Sequence, residues 1–175
     1  MQSYVILSVL VSIAIAQSCY DSADHQIQGR CFKLVAQQLS YQDARNWCHS
    51  HQAYLATVPD PTTDNFLASF ARTAFNDNSG NFWIGISRTA RNSPWQWDDG
   101  TPVGWTNFEG QNYNQNYASE SIKNGKWDTY VPETRLNFVC SYWPGARPTP
   151  PAADSTTPSW ITSENPSTIS GISTE

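Results

Sequence analysis

Charge is scarce in this sequence. Only 14% of its 175 residues are Asp, Glu, Lys or Arg, and fifteen acids outnumber ten bases for a net charge of −5. That balance argues against nucleic acid and anionic membrane as partners, because both are held by clustered positive charge. Histidine occurs only at 25, 49 and 51. Residues two apart do not share a helical face, so His49 and His51 read as exposed helix-end residues rather than metal ligands. No Cys-x-x-Cys pair is present, which removes the usual zinc and thiol-redox motifs. There is neither a Gly-x-Ser-x-Gly turn nor a His-metal spacing, and the chain does not read as an enzyme. No Asn-x-Ser/Thr acceptor with x other than Pro occurs, so N-linked glycans are not expected. No apolar run reaches the about 20 residues of a membrane span.

What is present begins with an apolar leader. Residues 4–16 are almost wholly apolar and end in Ala14-Ile15-Ala16, small residues that suit signal cleavage. Residues 1–16 therefore read as a secretory signal, and the expected location is extracellular. Export makes the four cysteines at 19, 31, 48 and 140 candidates for bridges. Four cysteines allow three pairings. Cys19 and Cys31 flank a short polar stretch ending at Gly29-Arg30, where a hairpin staple is natural, and Cys48 then pairs with Cys140. At the far end, residues 144–175 hold six Pro, six Ser and six Thr and no Leu, Val or Phe. Such a composition cannot bury enough surface to fold, and it suits either O-glycosylation or a plain disordered terminus. The folded domain is expected over 17–143.

Aromatic residues make up 13% of the chain, so its core is expected to be built from rings. Cys31-Phe32-Lys33-Leu34-Val35 reads as a strand. A helix follows from Ser40, with Asp43 three residues on as a capping box, and Tyr41, Ala44, Trp47 and Cys48 on its inner face. A second helix is expected from Thr62 or Thr63, with Phe66, Leu67, Phe70, Ala71 and Ala74 as its core stripe. Trp83-Ile84-Gly85-Ile86 and Trp95-Gln96-Trp97 are short strands around a polar turn, and Gly85 marks a place of close backbone approach. Residues 119–122 and Lys126-Trp127 are strands joined by Asn124-Gly125, a strong hairpin signal. Leu136-Asn137-Phe138-Val139-Cys140 is the last strand.

Residues 92–122 contain no Lys, Arg or His, yet hold Asp98, Asp99, Glu109 and Glu120, four Asn from 107 to 116, and several rings. Carboxylate and amide oxygens are the hard ligands that calcium takes. The same groups can bond sugar hydroxyls while rings cover a pyranose, or can simply satisfy turn geometry.

The order of the cysteines, Trp83-Ile84-Gly85, Asn124-Gly125-Lys126-Trp127, Phe138-Val139-Cys140, Ala44-Arg45-Asn46-Trp47-Cys48 and Leu55-Ala56-Thr57 together resemble the C-type lectin-like domain family over residues 19–143. The resemblance implies an α+β fold, with two helices flanking small antiparallel sheets and a long polar loop. It implies glycans or glycoproteins as partners, with defence or surface recognition as the setting; the alternative is a protein or surface ligand bound without calcium or sugar. Sugar-binding members carry Glu-Pro-Asn or Gln-Pro-Asp in the loop, then an acid, then Trp-Asn-Asp. Here the first triplet falls on Glu109-Gly110-Gln111, or less well on Gln111-Asn112-Tyr113, without the cis proline. The later acid becomes Asn116, and Trp-Asn-Asp becomes Trp127-Asp128-Thr129. The resemblance thus implies a degenerate calcium site at Glu109, Asn116 and Asp128, weakened by its low charge. It also implies ligand contacts from Glu109, Gln111, Asn112, Asn116 and Asp128, with Trp105 or Tyr113 as ring partners. The family's inner disulfide is missing, its positions lying near Ala118 (or Tyr117) and Pro132.

Overall fold

The computed structural model describes residues 18–145; the expected leader and the tail beyond 145 lie outside the described residues. In chain order the elements are β1 (His25–Ile27), β2 (Arg30–Leu39), α1 (Tyr41–Ser50), β3 (Tyr54–Leu55), α2 (Pro61–Ala74), β4 (Asn81–Ser87), β5 (Gln96–Trp97), β6 (Tyr117–Ser121), β7 (Trp127–Tyr130) and β8 (Leu136–Tyr142). The strands run β1-β2-β8-β4-β6-β7, with β3 added on β8 and β5 on β4. A parallel pairing of β4 with β8 joins two otherwise antiparallel groups. The fold is α+β.

Strand β4 is buried on both faces, as a central strand must be. Phe82, Ile84 and Ile86 face one cluster with Leu67 and Ala71 of α2, together with Trp97, Ile122 and Trp127. Trp83 points the other way, into Tyr41, Ala44 and Cys48 of α1, with Phe138 and Cys140 of β8. Gly85 interrupts that second face for a steric reason. Its N–H donates to the Ala56 carbonyl at 2.8 Å, and a Cβ there would run into the Leu55 carbonyl. Disulfides join Cys19 to Cys31 and Cys48 to Cys140, the second fastening α1 to β8.

Helix α1 starts as its sequence indicates: Ser40 caps it, accepting from the Asp43 N–H and donating to the Asp43 carboxylate. Helix α2 starts earlier than the expected Thr62 or Thr63. Asp60 is its cap, accepting from the N–H groups of Thr62 and Thr63, and Pro61 opens the first turn. Its buried face is Thr63, Asp64, Leu67, Ala68 and Ala71. The expected stripe has the same spacing moved by three residues, which turns the helix by about one sixth of a revolution. Phe66 is therefore 49% exposed and stacks on Phe70, whose ring in turn covers His25; Ala74 is exposed as well. The rotation follows from Asp64, a polar residue drawn inward by a buried hydrogen-bond donor described below.

Candidate functional site

The long loop spans residues 98–116, between β5 and β6. Its floor is Trp127, wholly buried, against which Trp97, Trp105 and Phe108 stand edge-on with centroids 5.3–5.7 Å away. Such edge-to-face packing suits ring quadrupoles. The Trp127 indole N–H donates to Asp64 Oδ1 at 2.7 Å. Asp64 Oδ2 accepts from the Asn107 amide at 3.0 Å, and Asn107 Oδ1 accepts from Lys126 at 2.7 Å. The backbone joins in: Trp127 N donates to the Asn107 carbonyl, and Glu109 N to the Trp127 carbonyl. Burial pushes the Asp64 carboxyl up to about 6 against the pull of its bonds to Trp127 and Asn107.

Three of the four carboxylates of the acid-rich segment serve the fold. Asp98 is bound to Arg45, to His49 Nε2 at 2.9 Å and to the Leu55 N–H at 3.0 Å. Asp99 accepts from Arg30 at 2.7 Å and from Thr101 N and Oγ1. Burial opposes its ionisation, but the bonds from Thr101 and Arg30 outweigh this and hold its carboxyl below the usual range. Glu120 faces the core between Ala118 and Ile122, fully buried, and among the described residues neither of its carboxylate oxygens finds a hydrogen-bond partner. Burial, and then the charge of Asp64, push its carboxyl well up. Glu109 is left at the surface, 3.5 Å from the Asn124 amide.

The expected ligand-binding residues divide into three places. Glu109, Gln111, Asn112 and Tyr113 form the exposed tip of the loop. Asp128, half-buried on β7, lies beside them: a Cβ added at Gly110 would stand 3.9 Å from its Oδ1. The tip is pinned to β7 by the Asn112 N–H on Thr129 Oγ1 at 2.8 Å, and Asn112 Oδ1 accepts from Asn114 N in a local turn. Trp105 stands apart, half-buried in the floor against Trp127. Asn116 is drawn inward, where its Oδ1 accepts from Arg88 Nε at 3.1 Å.

Arg88 and Arg91 are the residues that reading the loop by itself misses. Residues 92–122 hold no cation, but the chain just before them supplies two. Arg88 is buried beneath the loop, its guanidinium over the Trp95 ring at 4.6 Å. Arg91 lies over the ring of Tyr113, which is 59% exposed, at 5.2 Å. The signal is the pair of arginines directly after the Trp-Ile-Gly strand.

Placed in this way, Glu109, Asn116 and Asp128 do not fit a calcium ion. Asn116 spends its oxygen on a guanidinium, and a second cation there would be repelled by the first. Among the described residues no group of three or more His, Cys, Asp or Glu is placed to hold a metal.

The profile of the Lectin C-type domain matches residues 37–142, more than half of the chain, so the chain belongs to the C-type lectin domain family. Among curated relatives, lithostathine of Rattus norvegicus is 27% identical over 119 residues, covering 64% of this chain and 72% of its own. C-type lectin 16 of Crotalus adamanteus is 23% identical over 142 residues, covering 80% and 91%. Two solved structures share the fold. Human lithostathine has a TM-score of 0.66 at 20% identity, covering 78% of this chain and 99% of its own. A calcium-independent type II antifreeze protein has a TM-score of 0.65 at 19% identity, covering 75% and 99%.

Proposed function

We propose that this chain is an exported lectin that binds glycans directly through the tip of its long loop. The observation that carries this reading is the exposed cluster of Gln111, Asn112 and Tyr113 on a backbone tied to β7 by the Asn112–Thr129 bond. Amide groups offer donors and acceptors to vicinal hydroxyls, and the phenol ring offers an apolar face to a pyranose. Glu109 and Asp128 add acceptors at the edge of the same surface. A pinned backbone limits the entropy lost on binding, so these few groups can select one sugar over another.

A glycan array screened with calcium and again with chelator tests this reading. The expected result is the same set of glycans retained under both conditions. An array without hits would overturn the glycan reading and leave a protein or other surface ligand for the loop. Hits that vanish with chelator would overturn direct binding.

A further inference from the structure

Among the described residues four oxygen atoms close on the guanidinium of Arg88, and none belongs to a carboxylate. Nε donates to Asn116 Oδ1 at 3.1 Å and Nη1 to the Arg91 carbonyl at 2.9 Å. Nη2 donates to the carbonyls of Tyr113 and Gln115 at 3.1 and 2.9 Å. The residue is 7% exposed, and the Trp95 ring covers one face of the guanidinium. Burying a charge without a counter-charge costs several kcal/mol unless its donors are taken up. Here the fold meets that need with neutral oxygens, three of the four from residues 113–116. Drawing carbonyl and amide oxygens of one loop around a desolvated cation is otherwise what a hard metal ion does.

We propose that Arg88 is a positioning residue for the binding surface: its guanidinium is the loop's built-in cation and sets residues 113–116 without a metal. This rests on the reading that the loop tip is the binding surface. The backbone contributes too, since the Arg88 N–H, one residue past β4, donates to the Asn116 carbonyl at 2.9 Å and holds the end of the loop beside the Ser87–Tyr117 pairing. The clamp needs a planar fork. Lysine has the charge but not the fixed spread of donors that reaches a side-chain amide and three carbonyls together.

Hydrogen exchange on the full chain tests this directly. The amides of Asn112, Asn114 and Gln115 are each hydrogen-bonded within the loop or to β7, so their protection reports its order. In the wild type that protection is expected to be equal in millimolar calcium and in chelator. In Arg88→Lys it should fall by about tenfold or more while amides of the β2–β8 pairing keep theirs, since local opening is separable from global unfolding. Protection that rises with calcium in the wild type would overturn the proposal, as would a lysine variant with unchanged loop exchange. If Arg88→Lys unfolds the chain, Asn116→Ala, which removes only the side-chain acceptor of Nε, takes its place: loop protection should fall there too, and unchanged protection would overturn the proposal. Affinity for a glycan retained on the array should fall in Arg88→Lys in step with loop protection. A failure to bind any glycan would count against the surface reading alone, because exchange judges Arg88 without ligand.

Discussion

Trp127 and Asp64 share a buried hydrogen bond of 2.7 Å from indole nitrogen to carboxylate, and through it β7 is fastened to α2 under the long loop. The bond also sets which face of α2 turns inward. An indole N–H buried in a ring-built core needs an acceptor, and the helix supplies one at the cost of exposing Phe66.

The same pair predicts how stability depends on pH. A carboxyl whose folded pKa lies above its unfolded value binds protons more tightly in the folded state. Its contribution to stability is therefore largest at low pH and is lost as pH rises from 3.8 towards about 6. Glu120, shifted in the same direction, extends the loss upwards. Lowering the pH from 7 to 5 should raise the unfolding free energy by about 1.3 kcal/mol through Asp64 alone, and Glu120 adds to this in the same direction. Asp99 does not oppose this, because its depressed pKa places its titration below that window. Urea denaturation at a series of pH values measures the slope. An Asp64→Asn, Glu120→Gln double variant should flatten it; an unchanged slope would assign it to other groups.

Glu120 is a fully buried carboxyl near the charge of Asp64, with no hydrogen-bond partner among the described residues. Replacing it by methionine removes a desolvated polar group at similar volume. Glu120→Met should gain about 1–3 kcal/mol at pH 7.5. Loss of stability in the same denaturation assay would show that the carboxyl has a partner it needs.

Gly85 has no room for a methyl group, since the obstacle is the Leu55 backbone rather than a movable side chain. Gly85→Ala should cost about 3 kcal/mol or more, at the upper end for overpacking. Thermal unfolding measures it, and a shift within error would mean that β3 can retreat from β4.

The two disulfides should differ in weight. In the chain-entropy account, the bridge across 92 residues from Cys48 to Cys140 contributes about 4–5 kcal/mol and the 12-residue Cys19–Cys31 bridge about 3. Paired Cys→Ala variants compared by denaturation should rank in that order. The reverse ranking would place strain, not chain entropy, in control.

Much of the fold is legible in the sequence because its signals are local: a cap at Ser40, alternation around Trp83, and a turn at Asn124-Gly125, where Gly125 takes a φ of +69°. The rotation of α2 is not local. Phe66 outranks Asp64 on any scale of hydrophobicity, and only the indole of Trp127, far along the chain, reverses that order. The candidate site was legible as a surface but not as a set of roles. Asp98, Asp99 and Glu120 share the composition of metal ligands, yet Arg45, Arg30 and the alternation of β6 claim them for the fold. Asn116 is claimed in the same way by Arg88, from 28 residues upstream. Partners outside a segment decide what its polar groups are free to do.

Calorimetric titration of a glycan retained on the array, against the wild type and a Gln111→Ala, Tyr113→Ala double variant, tests the binding surface most directly. Both side chains lie at the loop tip, and Tyr113 adds little to the core at 59% exposure, so the variant should keep its fold. Loss of an amide contact and a ring contact should weaken binding by about tenfold to a hundredfold, or 1.4–2.8 kcal/mol, in chelator as in calcium. Equal affinity in the two proteins would contradict the assignment and move the glycan site away from the long loop.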